Sequence, residues 1–269
     1  MTYPREQFER IVQQYQRSWW QNCVRICLLL GVTIMSFGVV ELLDVGRMVQ
    51  GVPAILNLLG EMFPPDFSRW PQWMMPIADT LAMSVAGTAI AVGLSIPLSL
   101  LAASNTTPHP LLFHLTRVVL NIARAIPELI LGMILVAAVG FGKLPGTLAL
   151  GLHSVGMVGK FFAEAIELSN RAPVEAARSV GATEPQVIVH SILPQVWPQM
   201  ADVIFYRWEY NLRASLVLGA VGAGGIGLEI ISALRILQYQ QVSALLILVL
   251  GMVTLVDSLS SYLRQGFIK

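Results

Sequence analysis

Long apolar runs separated by short polar breaks recur along nearly the whole chain. Spans of about 20 residues fit a bilayer core, and the runs predict six of them. They cover roughly residues 23–40, 77–103, 118–139, 147–164, 200–221 and 242–262. Before the first span, Phe8, Ile11, Val12, Tyr15 and Trp19 fall at helical spacing within residues 4–21, flanked by Arg5, Arg10 and Arg17. With Trp19-Trp20 at headgroup level, this pattern predicts an interfacial helix. A longer connection follows span one, broken at Pro64-Pro65 and with a short surface helix over Val52 to Met62. Asn105-Thr106-Thr107-Pro108 and the Gly140 to Gly146 stretch read as turns. A polar segment, 165–199, separates spans four and five, and a glycine-rich connection leads into span six. The expected organisation is an arm over 1–22, the first span and its connection over 23–76, and a core membrane domain over 77–269.

Composition strengthens this picture. Hydrophobic residues make up 55% of the 269 and charged residues 12%, against about 25% charged in soluble domains. A net charge of +1 gives no field for nucleic acid. Cys23 and Cys27 stand four apart without partners elsewhere, too few for a zinc site or a disulfide framework. The first 22 residues are too polar and aromatic for a secretory signal peptide, so span one is expected to persist. With cytoplasmic termini, Arg5, Arg10, Arg17, Arg25, Arg117, Arg171, Arg178, Arg264 and Lys269 lie inside, against Arg47, Arg69, Lys143 and Arg235 outside. The positive-inside rule therefore predicts cytoplasmic termini and a cytoplasmic 165–199 segment.

That segment contains Pro173-Val174-Glu175-Ala176-Ala177-Arg178-Ser179-Val180-Gly181 and ends at Ile192-Leu193-Pro194. Pro173 suits a helix start and Gly181 a stop. Barely two turns lie between them, too few to stand alone, so the helix is expected to dock on something. Glu175 reads as an acid near the helix's positive end.

Three spans each carry one polar stripe. At about 100° per residue, Arg117, Asn121, Arg124 and Glu128 share one face of span three. Asp202, Tyr206, Glu209 and Arg213 share one of span five, and His153, Gly156, Lys160, Glu164 and Glu167 one of span four. Intramembrane charges usually face a bundle interior or a wet cavity. The stripes are therefore expected to converge on one path, in which Arg124 and Arg213 attract an oxyanion through guanidinium donors. The competing reading has the charges pair internally, as Glu209 with Arg213 and Lys160 with Glu164 at i,i+4. Pro127 can kink span three, and Arg207 lies off its stripe and reads as structural. Thr80, Ser84, Gly87, Ala91 and Ser95 on one face of span two suit close helix packing.

Gly222-Ala223-Gly224-Gly225-Ile226-Gly227 matches G-x-G-x-x-G but follows a membrane span rather than a strand, so the dinucleotide reading fails. No G-x-x-x-x-G-K-[ST] loop exists, and His109, His114, His153 and His190 make no metal-ligand spacing.

Glu175-Ala176-Ala177, Gly181 four residues later and Leu193-Pro194 twelve beyond resemble the EAA loop of bacterial ABC importer permeases. Ser191 departs from the aliphatic residue more usual there. Arg124-Ala125-Ile126-Pro127-Glu128, Arg207-Trp208-Glu209-Tyr210-Asn211-Leu212-Arg213 and the glycine stretch are similar to the phosphonate-type branch. The resemblance implies an all-α integral membrane protein with the type I importer permease fold. It also implies an ATPase-coupling set of Glu175, Ala176, Ala177, Arg178, Gly181, Leu193 and Pro194. Arg124, Glu128, Glu209, Arg213, Asn121 and Tyr206 are the candidates for a translocation path or gate. The implied partners are two copies of a separate ATPase that holds ATP and Mg, a periplasmic or lipid-anchored binding protein, and a second permease copy. The implied location is the bacterial inner membrane, and the chain itself is expected to bind no cofactor. The implied cargo is a phosphonate or related phosphorus oxyanion such as phosphite. The alternatives are a permease for another small solute such as an amino acid, an ion-coupled carrier or channel, and an intramembrane enzyme; no inverted repeat or catalytic set favours the last two.

Overall fold

Helix breakers decide where this apolar chain turns. A computed structural model describes residues 5–40 and 44–268, and every regular element among them is helical. The chain divides into two units, Met1–Gly60 and Glu61–Lys269.

The first unit holds α1 (Arg5–Val39) and α2 (Val45–Glu61). No proline falls between Pro4 and Pro53, and α1 runs unbroken through 35 residues. The expected interfacial helix and first span are thus one helix, and the boundary drawn at residue 22 falls within it. Its apolar section Ser18–Val39 is long enough to cross a bilayer. The side chains of Arg5, Phe8, Arg10, Ile11, Val12 and Arg17, like Lys269, lie outside the described residues. Trp19 and Trp20 are exposed, edge to face at 6.2 Å. The predicted surface helix after span one is α2, longer than expected and with Pro53 inside it.

The second unit begins with α3 (Trp70–Ala102), whose Pro71 sits in the first turn, where its missing N–H costs nothing. Then come α4 (Pro110–Ala125) and α5 (Glu128–Val139), bent by 86° at their junction. The sequence predicted one kinked span here, but the helix breaks. Proline disfavours the helical region for the residue before it, and Ile126 adopts extended geometry (φ −86°, ψ 117°). Next are α6 (Lys143–Glu167), the short α7 (Arg171–Ser179) and α8 (Glu184–Val187), and a π-helical turn over Ile188–Ile192. That turn runs directly into α9 (Leu193–Gly219). Span five therefore starts at Leu193, seven residues before its predicted start. A further short helix, α10 (Gly225–Arg235), lies where only a connection was expected. The last helix is α11 (Tyr239–Ile268).

Two helices of this unit, Trp70–Ala102 and Tyr239–Phe267, are long and apolar enough to cross a membrane alone, and the bent α4–α5 pair qualifies as one broken span. The other expected spans, α6 and α9, have the length (25 and 27 residues) but carry more polar residues. They can do so because they are the inner helices: α6 packs on α3, α4, α5 and α9. Small residues make this possible. Thr80, Ser84, Gly87, Ala91 and Ser95 of α3 are all buried, and Ser95 Oγ donates to the Val155 carbonyl of α6 at 3.2 Å. The face predicted for close packing is used for it.

The glycine-rich corner before α10 explains its own composition. Gly225 has φ +71°, and a Cβ there would lie 2.5 Å from Thr80 Oγ1. The same hydroxyl accepts the Ile226 N–H at 2.9 Å, which fixes the start of α10 on α3.

Candidate functional site

The 165–199 segment builds a short helix, α7, packed against its own unit. Asn170 caps α7, its side chain accepting from Ala172 N at 3.0 Å. The cap is held in turn by Gln195, whose Oε1 accepts from Asn170 N at 2.9 Å and whose Nε2 donates to Ser191 O at 2.6 Å. The helix starts two residues before Pro173, so Glu175 lies in its middle rather than its first turn. The dipole argument for Glu175 therefore falls away. Gly181, at φ +86°, ends the helix as predicted, and Ala182 N returns to Ala177 O at 3.2 Å. Val174 turns inward onto a core that includes Val187, Ile192 and Val196, while Ala177 is half-buried against it. Arg178 makes a bidentate pair with Glu184, at 3.0 and 2.9 Å. That bond, and the carboxylate charge behind it, push the guanidinium pKa further above its ordinary range. Glu184 opens α8, whose cap Thr183 pairs reciprocally with Gln186. Leu193 and Pro194 form the first turn of α9, continuous with the π-helical turn. Glu175, Ala176, Ser179 and Val180 remain exposed on the outer face of α7. The packing explains how two turns persist: Val174 anchors them and Gln195 locks the cap.

The three polar stripes do not share one fate. Those of α4 and α6 meet, lining a cleft of about 250 Å³ with Arg117, Asn121, Arg124, Lys160 and Glu164. Close approach makes the cleft: a Cβ on Gly156 would lie 2.5 Å from Leu120 O and 2.6 Å from Arg124 N. At its end Arg117 is tied to Glu167 by a bidentate contact (2.9 and 3.0 Å) and to Ala102 O at 3.0 Å. Lys160 faces Glu164 at 3.4 Å. Arg124 donates to the Asn121 amide oxygen at 3.2 Å and, among the described residues, has no carboxylate partner.

The α9 stripe turns instead to α11. Arg213 reaches Asp257 at 3.3 Å and Glu209 at 3.9 Å. Glu209 also accepts from Arg264 at 2.9 Å and from Ser260, and Arg264 pairs with Asp202 at 3.2 Å. Tyr206 is exposed on α9. Within one chain, then, the stripes converge in part: α4 with α6, and α9 with α11.

Glu128 sits apart from Arg124 because the helix break separates them. It opens α5 and meets Tyr210 Oη at 2.8 Å and His153 Nε2 at 3.2 Å. Beside this lies Arg207, 1% exposed, with Nε on Ser154 Oγ at 2.7 Å and its plane 4.2 Å over the Tyr210 ring. Arg207 is buried away from the polar face of α9, consistent with its position off the stripe. The sequence did not single out Tyr210, or His153 as a partner of Glu128. Their contact crosses the Pro127 break and joins three helices, so no single-helix wheel shows it.

An all-helical membrane bundle with an exposed two-turn helix on one loop is the architecture of a transporter's membrane subunit. The chain belongs to the family described as binding-protein-dependent transport system inner membrane component, whose model matches residues 95–269. It is thus a multi-pass inner-membrane transport subunit and not an enzyme, working with a binding protein and an ATPase. The phosphite transport system permease protein PtxC of Stutzerimonas stutzeri is 57% identical over 264 residues, covering 98% of this chain and 96% of that one. The phosphate-import permease protein PhnE of Mycolicibacterium smegmatis is 40% identical, covering 87% of this chain and 44% of that one. Among solved structures, the inward-facing MetNI methionine ABC transporter superposes with a TM-score of 0.66 at 20% identity, over 75% of this chain and 99% of that one. That last likeness concerns the fold alone.

Proposed function

We propose that the chain forms the translocation path of an ATP-driven importer for a phosphorus oxyanion, phosphite or a phosphonate foremost. The observation that carries this reading is the whole-length relationship to a permease named for phosphite. The α4–α6 cleft supports it. Arg124, held by a neutral amide and by no carboxylate among the described residues, keeps donors available for phosphoryl oxygens. With each water-sized volume at about 30 Å³, the cleft has room for a small tetrahedral anion and several waters.

In this reading Arg124 and Asn121 contact the passing anion, and Arg117 and Lys160, each paired with a carboxylate, flank them at the rim. Glu209, Arg213 and Tyr206 belong to the gate through the α9–α11 network. The outer face of α7, with Glu175, Ala176 and the Arg178–Glu184 clasp behind it, enters a groove on the ATPase. One chain carries one such helix, so two copies of the permease serve two ATPase subunits. ATP and Mg stay on those subunits, and both permease termini lie in the cytoplasm. The binding protein sets most of the selectivity.

The test is ATP hydrolysis by the complete complex in proteoliposomes. Binding protein loaded with phosphite, methylphosphonate, phosphate or an amino acid is added in turn. Stimulation by a phosphorus oxyanion and not by amino acids is expected. Stimulation by an amino acid alone would refute the substrate class.

A further inference from the structure

The break between α4 and α5 is clamped from two other helices. On its α4 side, His153 Nδ1 of α6 lies 2.9 Å from the Ile126 carbonyl oxygen. On its α5 side, His153 Nε2 lies 3.2 Å from Glu128 Oε2. Tyr210 Oη of α9 donates to Glu128 Oε1 at 2.8 Å. One imidazole therefore touches both sides of Pro127.

These contacts require a definite number of protons. A carbonyl oxygen only accepts, so His153 Nδ1 carries a hydrogen. An ionised Glu128 also only accepts, and its other oxygen already takes the tyrosine hydrogen. The 3.2 Å contact thus needs one more proton, on Nε2 as an imidazolium or on Oε2 as a carboxylic acid. Either placement gives the same total: one shared proton for the pair. Without that proton, the Nε2 lone pair faces a carboxylate where the two side chains are only 10% and 23% exposed. Little water is there to relieve the contact.

The other groups around the pair fix its surroundings. From α9 come Tyr210 and the Arg207 guanidinium, whose Nη2 is buried without a hydrogen-bond partner. From α4, Arg124 packs its backbone on Gly156, one turn along α6 from His153. On the α3 side the chain of contacts is neutral, running from Ser154 through Asn211 to Thr88.

We infer that His153, Glu128 and Tyr210 form a latch that needs one proton to close, and that its release frees the Pro127 break to change angle during transport. They are positioning residues. The inference rests on the transport reading for its purpose, but not on which anion is carried.

The experiment places spin labels at exposed sites on either side of the break, Val118 and Ile134. It uses the full chain in its complex, with Cys23 and Cys27 replaced by serine. Pulsed electron resonance reads the distance between labels from about pH 6 to about pH 9. In the parent protein the distance distribution is narrow at the acid end and broad at the basic end. In Glu128→Gln, the amide donates to Nε2 and its oxygen accepts from Tyr210 without a titrating proton, so the distribution stays narrow throughout. In Glu128→Ala it is broad throughout. A parent distribution indifferent to pH, a Glu128→Gln variant that keeps the parent's response, or a narrow Glu128→Ala distribution would each overturn the latch. If Glu128→Ala does not assemble, the parent and Glu128→Gln comparison decides alone. These distances do not depend on the substrate, so a wrong anion assignment leaves the result intact.

Discussion

Gly156→Ala is a sharp test of how the cleft is built. The new Cβ would sit 2.5 Å from Leu120 O, 2.6 Å from Arg124 N and 2.9 Å from Arg124 Cβ. Real Cβ atoms essentially never come within 3.0 Å of a neighbour. All three obstacles belong to α4, two of them backbone, so no side-chain rotation relieves the clash. Either α4 or α6 must retreat by at least about 0.5 Å. Overpacking of this kind costs about 1–3 kcal/mol. For a unit of this size that corresponds to a fall of about 2–12 °C in Tm. The same retreat shifts Arg124 relative to Lys160 across the cleft, so anion-stimulated ATP hydrolysis falls as well. The assay is thermal unfolding of the purified complex followed by tryptophan fluorescence, with ATP hydrolysis measured on the same preparation. Gly93→Ala is the control, because nothing lies within 4 Å of a Cβ at that α3 position. A Gly156→Ala protein that melts within about 1 °C of the parent would refute the close-approach argument, as would an equal loss in Gly93→Ala.

Arg124→Ala should lower oxyanion-stimulated ATP hydrolysis at least about tenfold, the loss of one charge-assisted contact of about 1.5–3 kcal/mol, while melting stays near the parent's because Arg124 pairs with no carboxylate among the described residues. Unaltered uptake by a normally assembled variant would remove Arg124 from the path. Glu175→Lys should leave melting unchanged, since the residue is exposed on α7, yet abolish stimulation by loaded binding protein; normal coupling would count against ATPase docking through this face. Asp66, in the loop before α3, is held below its ordinary value of 3.8 chiefly by the Ser68 backbone N–H, which donates to it at 2.8 Å. A lowered folded-state pKa means its contribution is present above 3.8 and fades as pH falls through the folded value. The melting difference between parent and Asp66→Ala should therefore be complete at neutral pH and shrink under acid; a difference that grows under acid would reverse the sign.

The 165–199 loop was legible because its information is local. Pro173, Gly181 and Leu193-Pro194 act through backbone preferences that hold whatever surrounds them. Its anchors were less legible: Asn170 caps α7 only because Gln195 reaches back from α9. Pro173 does not by itself fix the helix start, because the third helical residue, like the first, has no intrahelical partner for an N–H. In α10, opening glycines looked like loop, and the Thr80 hydroxyl that seats its first turn comes from 146 residues away in sequence. Span three was drawn whole because an apolar run does not register an 86° break.

By itself, the sequence determined that this is a membrane-embedded helical protein with a short helix in the polar segment between its fourth and fifth spans. Apolar length, scarce charge and turn-forming residues act on the chain one segment at a time. What only the tertiary structure decided is which charges meet. A helical wheel shows that Arg213 and Arg124 each lie on a polar face, but not what each face touches. Packing gave Arg213 to Asp257 of α11 and left Arg124 at a cleft with α6. It also brought Glu128, His153 and Tyr210 together from three helices. Those meetings depend on backbone separations of a few ångströms, set by residues such as Gly156, and so on the assembled bundle rather than on any one span.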